Sequence, residues 1–522
     1  MSESLWMDGL VTPKFGCLTQ NETHDVCIVG GGLGGIMTGY LLQKAGKSVC
    51  ILEALNIGAG QTGRTTAHFS TALDDRYYRL ENLQGAQGAK LAANSHLQAL
   101  DLIERIVHDE KIECDYAKLP GYLFLGPDDS DKVIKKECAA ARLAGLKDVS
   151  IVDNIPGLKF KSGLALCFPN QIQLHPLKFL FALTECFVAL GGKVHGRTRV
   201  KEIKGGDQAQ VVTEDGLVVR AQSIVVATNS PINDLFTIHT KQAPYRTYVI
   251  AARLPKNSVP QILFWDTEEP YHYVRTQADP ESSLHDLVIV GGEDHKTGQN
   301  DQPEQGYLNL EKWMRERFPD AQEIHYRWSG QVMEPMDGMA YLGHNPMDKN
   351  NVYIITGDSG NGMTHCLIGA MLITDQIENR PNPWETLYQP SRKNMRAAGS
   401  FLKENANVIA QYGDWLSPST AESESEILPG SGAVLREGTQ VIAVFKDDAG
   451  ACHSTSAVCP HLSGIVHWNS AENSWDCPCH GSRFNAYGRV IEGPACSNLK
   501  PVFRKPTLTS ILSTLTEQKS SI

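Results

Sequence analysis

Long apolar runs are missing from this 522-residue sequence: none approaches the roughly 20 residues that cross a bilayer, so no membrane span is expected. Positive charge is also short. Against 59 Asp and Glu there are 48 Lys and Arg, a formal net charge of −11, whereas a nucleic-acid surface needs clustered cations. No nucleic-acid partner is expected. The N-terminus, Met-Ser-Glu-Ser-Leu-Trp-Met-Asp, has no basic stretch followed by an apolar core, so no secretory signal is read there. Thirteen cysteines are scattered along the chain rather than concentrated as in a small disulfide-built scaffold. These features point to a reducing, cytoplasmic setting. Sequence repeats of fixed period are absent too, which removes solenoids and propellers.

What is present is ordinary globular composition, 41% hydrophobic and 20% charged, in a chain too long for one core. Asp25–Glu53 reads as a βαβ unit: an apolar run to Val29, a glycine-rich turn, a helical stretch to Lys44, and a second strand from Ser48. The middle mixes helical patterns, as over 85–109, with strand-like runs such as Leu287–Val290. Returning strands are expected at 223–228 and 351–356. A Ser/Glu-rich stretch over 416–428 reads as a linker, dividing a region 1–415 from a small all-β module over 429–515.

The sharpest chemical pattern lies in that module. Cys459-Pro-His461 is followed, fifteen residues later, by Cys477-Pro-Cys-His480. Each loop offers one thiolate and one imidazole, the donor set of a cluster with two Cys on one iron and two His on the other. A structural zinc site uses the same donors, although C-x-H is shorter than the usual zinc pair. Together with Gly481-Ser482 and Gly493-Pro494-Ala495, these loops resemble the Rieske [2Fe–2S] family, which implies Cys459, His461, Cys477 and His480 as ligands. High-potential members join their loops by a disulfide whose first cysteine corresponds to Gly464, so the resemblance leaves Cys479 a free thiol. Their sulfur-bonding tyrosine corresponds to Phe484, while the serine persists as Ser482. Fewer donors to the cluster imply a potential in the lower part of the Rieske range.

At the other end, Gly30-Gly-Gly32-Leu-Gly-Gly35 follows a strand and opens a helix, the arrangement that brings backbone amides to a pyrophosphate. Glu53 ends the second strand, where a carboxylate can accept from a ribose. The run from Glu53-Ala54 to Gly58-Ala-Gly-Gln-Thr62-Gly-Arg64-Thr65-Thr66-Ala-His68 resembles the flavin-contacting loop of D-amino-acid oxidase-like flavoproteins. Gln173–Pro176, the strand ending at Val200, and Thr356-Gly357-Asp-Ser-Gly-Asn-Gly362-Met363-Thr364 resemble further parts of that family over roughly residues 20–385. The resemblance implies FAD, held in an α/β Rossmann-like domain beside a mixed-sheet substrate domain.

Taken together, the resemblances imply oxidation of a C–N bond of an amine or amino acid, with electrons passing from FAD to the cluster. An external acceptor of the ferredoxin, cytochrome or quinone kind would then take them. No second nucleotide-binding turn is visible, since Val288–His295 lacks the third glycine, and no segment suits a mononuclear-iron domain. Catalytic candidates come from Tyr271-His272-Tyr273-Val-Arg275, where Arg275 could clamp a carboxylate. The alternative is that Arg275 neutralises a structural acid and the tyrosines pack in the core. His295 and Trp328 are weaker candidates, and His68 and His175 fit local structure or flavin positioning better than acid–base work. An electron-transfer component without its own substrate, or a redox sensor, remains open on the sequence.

Overall fold

The computed structural model describes residues 3–233, 237–346 and 348–502; positions 503–515 of the expected module lie outside them. Its first sheet is mostly parallel. The strands run in the order Tyr341–His344, Val352–Thr356, Val218–Val226, Glu22–Val29, Val49–Leu52, Lys193–His195, with only the Tyr341–His344 pairing antiparallel along that path. A hairpin of Val200–Lys204 and Gln210–Thr213 extends from Val218–Val226. Val49–Leu52 and Val352–Thr356 are buried throughout, as expected of strands covered on both faces. Both returning strands expected from the sequence are therefore present, inside this sheet.

A second sheet, nearly all antiparallel, provides the other wall of the domain. Its order is Ile324–Pro335, Gln242–Pro255, His285–Lys296, His272–Ala278, Leu263–Trp265, Ala117–Phe124, Ala165–Gln173, His68–Phe69. The helix expected over 85–109 is longer, Tyr77–Asp109, and breaks at Gly85, whose φ of 74° leaves the helical region. Val288–His295, which lacks a third glycine, is part of the long strand His285–Lys296 rather than the start of a βα turn.

Two small sheets make the C-terminal module: Ser431–Glu437, Gln440–Lys446, Cys452–Ser456, and His467–Asn469, Ser474–Asp476, Arg483–Asn485, Val490–Glu492. The segment 416–428 lies against this module. Thr420 N donates to Val434 O at 2.9 Å, Val434 N donates back to Thr420 Oγ1 at 2.8 Å, and Ile427 is buried. Just before it, the helix Ala398–Gln411 buries no residue but bridges outward: Lys296 pairs with Glu404 at 2.5 Å, and Asn405 Nδ2 donates to Thr240 O at 2.9 Å.

The module is seated on the antiparallel sheet through buried charge. Arg246, with no exposure, lies 3.7 Å from both Glu472 and Glu492 of the module. Arg483, equally buried, pairs with Asp476 and Glu492 at 2.8 Å each. Ser329 Oγ donates to Glu472 Oε1 at 2.6 Å. Backbones also meet closely. A Cβ on Gly298 would lie 2.8 Å from Pro478 N, and one on Gly481 2.5 Å from Pro244 Cβ. Removing one partner of a buried ion pair costs about 3–5 kcal/mol because the other charge stays desolvated. Arg246→Ala should lower stability by that amount and speed proteolysis at 416–428. Lys135→Ala, which breaks an exposed i,i+4 pair, should cost under about 0.5 kcal/mol in the same urea titration.

Candidate functional site

A cavity of about 310 Å³ runs between the parallel sheet, the antiparallel sheet and the module. At one end the glycine turn is forced by close approach. A Cβ on Gly30 would sit 2.4 Å from Ala227 O, and one on Gly35 2.0 Å from Gly30 O. Gly30 also has φ +110°, open to glycine at little cost. The helix Leu33–Lys44 begins on this cavity with Gly32 as a cap that offers no side-chain bond, so its positive end faces inward. Glu53 Oε2 accepts from Gly31 N and Oε1 from Leu55 N, both at 2.7 Å. Burial raises the pKa of Glu53, while those amides and Arg199 pull it down.

The expected flavin loop lines the cavity at Thr62, Arg64, Thr65 and Thr66, as do Gly30, Gly32, Glu53, Ala54, Val200, Gly362 and Met363. Gly35, Gly357 and Thr364 stand behind the lining; Thr364 Oγ1 accepts from Ser70 N at 3.2 Å. The helix Gly362–Ile377 is the second to open on the cavity, again without a side-chain cap from Asn361. Two helix N-termini and a glycine cradle fit a dinucleotide with its negative pyrophosphate.

The Tyr271–Arg275 candidates divide. Tyr271 and Tyr273 line the cavity, with rings 5.6 Å apart, and Tyr271 OH donates to Asp74 Oδ2 at 3.1 Å. Arg275 lies outside it, fully buried. Its guanidinium donates to the carbonyls of Thr66 at 2.9 Å and Leu174 at 3.0 Å and to Gln277 Oε1 at 2.6 Å, with Trp6 stacked on it. It holds the flavin loop from behind the cavity lining. His272 points to the opposite side of the sheet, stacked 4.6 Å from Trp313 and paired with Asp266 at 2.9 Å and Glu293 at 3.4 Å. Burial alone would lower its pKa, but these carboxylates raise it to about 9, so it is a structural cation.

The weaker candidates separate as well. Trp328 is buried and donates to Arg64 O at 2.8 Å, and His295 stacks on Tyr248. His175 caps the helix Pro176–Ala189. His68 does line the cavity, where burial and then Arg275 lower its pKa to about 3 and keep it neutral.

Asp74 and Asp358, which the sequence reading did not single out, also face the cavity. Burial raises each to about 6, against the pull of Arg76 on Asp74 and of the Met333 amide on Asp358. Just behind them burial raises Asp294 to about 7. No local pattern marks Asp74, and the folded chain turns it inward.

In the module, the two ligand loops converge. Cys459 and Cys477 are 1% and 2% exposed and close enough for a sulfur–sulfur hydrogen bond to raise the pKa of Cys459, with burial second. The rings of His461 and His480 lie 5.1 Å apart, each with a buried ring nitrogen that has no hydrogen-bond partner among the described residues. Two thiols and two imidazoles with unused donor atoms fit a Rieske cluster. Against the Cys477 sulfur and burial, Ser482 pulls the pKa of the neighbouring Cys459 down, and its hydroxyl accepts from Ala495 N at 3.0 Å. Phe484 is fully buried, and Tyr412 from the preceding helix end donates to Leu462 O at 2.7 Å.

Residues 25–376 match the family described as FAD dependent oxidoreductase (DAO). The chain belongs to that family. Residues 419–504 match the Rieske [2Fe-2S] domain, so this flavoprotein binds both FAD and a [2Fe–2S] cluster. It is 30% identical over 503 residues to the putative Rieske 2Fe-2S iron-sulfur protein YhfW of Bacillus subtilis, covering 96% of this chain and 97% of that one. It is 25% identical to the gamma-glutamylputrescine oxidoreductase of Escherichia coli over 70% of this chain and 85% of that one. The glycine oxidase structure from Geobacillus kaustophilus superposes with a TM-score of 0.58 at 18% identity, over 71% of this chain and 99% of that one, which shows the shared fold. No helix among the described residues is long and apolar enough to cross a membrane.

The module also closes the flavin cavity: Ile491, Glu492, Gly493, Ala495 and Cys496 form part of its lining. Two substitutions check this geometry. Gly30→Ala should weaken FAD retention about tenfold or more, some 1.4 kcal/mol, read from flavin fluorescence released on dialysis. Gly464→Cys should cross-link to Cys479, because a Cβ at 464 lies 2.6 Å from Cys479 Sγ. Under oxidising conditions the unfolded variant should show one titratable thiol fewer than the parent.

Proposed function

We propose that this flavoprotein oxidises the C–N bond of an amine, sending the electrons to its own cluster and then to an external ferredoxin, cytochrome or quinone. The observation that carries the amine reading is the chemistry of the cavity's far end. Asp74, Asp358, Tyr271, Tyr273, Trp265 and His68 meet there. The cavity's two arginines lie elsewhere: Arg64 Nη1 donates to Ala59 O, and Arg199 Nη2 to Val490 O of the module. Carboxylates and aromatic faces attract a cation, whereas a substrate carboxylate would meet repulsion. A relative named for γ-glutamylputrescine accords with this preference.

FAD supplies a two-electron acceptor, and the cluster a one-electron relay. The chain's own groups do the rest. Asp74 holds the substrate nitrogen and accepts a proton from it, with Tyr271 OH fixing the carboxylate. Tyr273 and Trp265 wall the site from water. Desolvation raises the pKa of Asp75 and Glu334 nearby, so these two add polar carboxyl groups more than further negative charge. Thirteen cysteines with no disulfide between them suit the reducing cytoplasm.

A carboxyl group whose pKa is raised to between 6 and 7 is neutral below that range and anionic above it. Amine kcat/KM should therefore rise with pH through 6–7, separately from the higher limb set by the amine itself. Asp74→Asn should flatten the lower limb and cut kcat/KM at pH 7.5 by about 10²–10⁴-fold, the range for losing a general base. Anaerobic mixing with a panel of amines, amino acids and NADH tests the whole reading. Bleaching of the flavin by an amine, followed by the signal of the reduced cluster, is expected. Reduction by NADH or a partner protein alone would overturn it in favour of an electron-transfer component.

A further inference from the structure

The imidazole side of the cluster site faces the flavin domain, and one side chain meets both ligand rings. His239, 2% exposed, lies on the segment that follows the strand Val218–Val226. Its ring centroid is 4.9 Å from His461 at an interplanar angle of 74°, and 5.6 Å from His480 at 58°. His239 Nε2 donates to the carbonyl of Pro231 at 3.1 Å. Pro231 sits between Ser230 and Ile232, both of which line the flavin cavity. The same wall touches the module again: Cys496 Sγ approaches Ile232 O at 3.7 Å, and a Cβ on Gly493 would lie 3.2 Å from Ile232 Cγ2. Ser230 and Ile232 thus form cavity wall, while His239 lies over the cluster ligands.

We propose that His239 is a positioning residue for the cluster: anchored to the flavin-cavity wall, its ring covers the two imidazole ligands and excludes water from them. The electrostatic consequence has a definite sign. A Rieske centre with two thiolates and two neutral imidazoles is uncharged when oxidised and singly negative when reduced. Water stabilises the charged form more, so a dry imidazole face disfavours reduction and holds the potential down. Outer contacts of this kind tune a centre without ligating it. The cover also occupies surface through which a separate protein could touch the imidazoles, so the external acceptor would take electrons from another side of the module.

The test is a redox titration of the holoprotein, with the electron paramagnetic resonance spectrum of the reduced cluster recorded at each potential. His239→Ala opens the ring contact and is expected to raise the midpoint potential and move the g values, with FAD content unchanged. His239→Phe restores a ring of similar size without the nitrogen, and is expected to return both towards the parent. An unchanged potential and spectrum in His239→Ala would overturn the proposal. So would a shift in His239→Phe as large as in His239→Ala, since that would assign the effect to the imidazole's polarity rather than its cover. Should the alanine variant fail to retain iron, His239→Gln provides the ringless comparison with His239→Phe and is read in the same way.

Discussion

Placing the module on the flavin domain requires several ionised side chains to leave water together. Arg246 from the antiparallel sheet and Arg483, Glu472, Asp476 and Glu492 from the module form a contiguous group, and Arg64 of the flavin loop feels Glu472 and Glu492 as well. Three cations thus face three carboxylates. Desolvating any one alone would cost several kcal/mol, and mutual attraction at low dielectric offsets that cost only when all are present. The group therefore tolerates one docking geometry and few neighbours to it. Both remaining features of the site depend on that geometry: the loop around Gly493 closes the flavin cavity, and the ligand imidazoles come to rest on His239.

The flavin domain is built on a different economy. The strands Val49–Leu52 and Val352–Thr356 are buried on both faces, and its glycine turn is held by contacts of backbone on backbone that no side chain could share. Arg275 works within this frame as a fastener. Its charge is distributed over carbonyls of the flavin loop and of the strand end at Leu174, so it shapes the cavity without entering it. What enters the cavity at the substrate end is acidic and aromatic. Arg64 and Arg199, with Glu492, stand towards the module and Asp74 and Asp358 at the far end, which gives the cavity a direction.

The candidates on the strand His272–Ala278 separate for one geometric reason. Alternate side chains face opposite sides of a sheet, so His272 and Tyr273 cannot share a site. Tyr273 and Arg275 do share a face, but one pleat further along, Arg275 has passed the cavity's edge and meets Thr66 and Leu174. The sequence shows the period; it does not show where the cavity ends. Asp74 and His239 are harder still. Neither belongs to a patterned element, and each gains its role from partners roughly 200 residues distant: Tyr271 for Asp74, His461 and His480 for His239.

By itself, the sequence determined what depends on neighbours along the chain. The strand–glycine–helix turn, the C-x-H and C-x-x-H loops and the two returning strands are local patterns whose spacing carries their chemistry. Tertiary structure decided which way the remaining side chains face and what they face. It buried Arg275, set His272 against Trp313, turned Asp74 inward and brought the module's charges to Arg246. The reason is that burial and charge pairing are properties of contacts between distant segments, and a pattern of residue types records only the contacts that short-range geometry imposes.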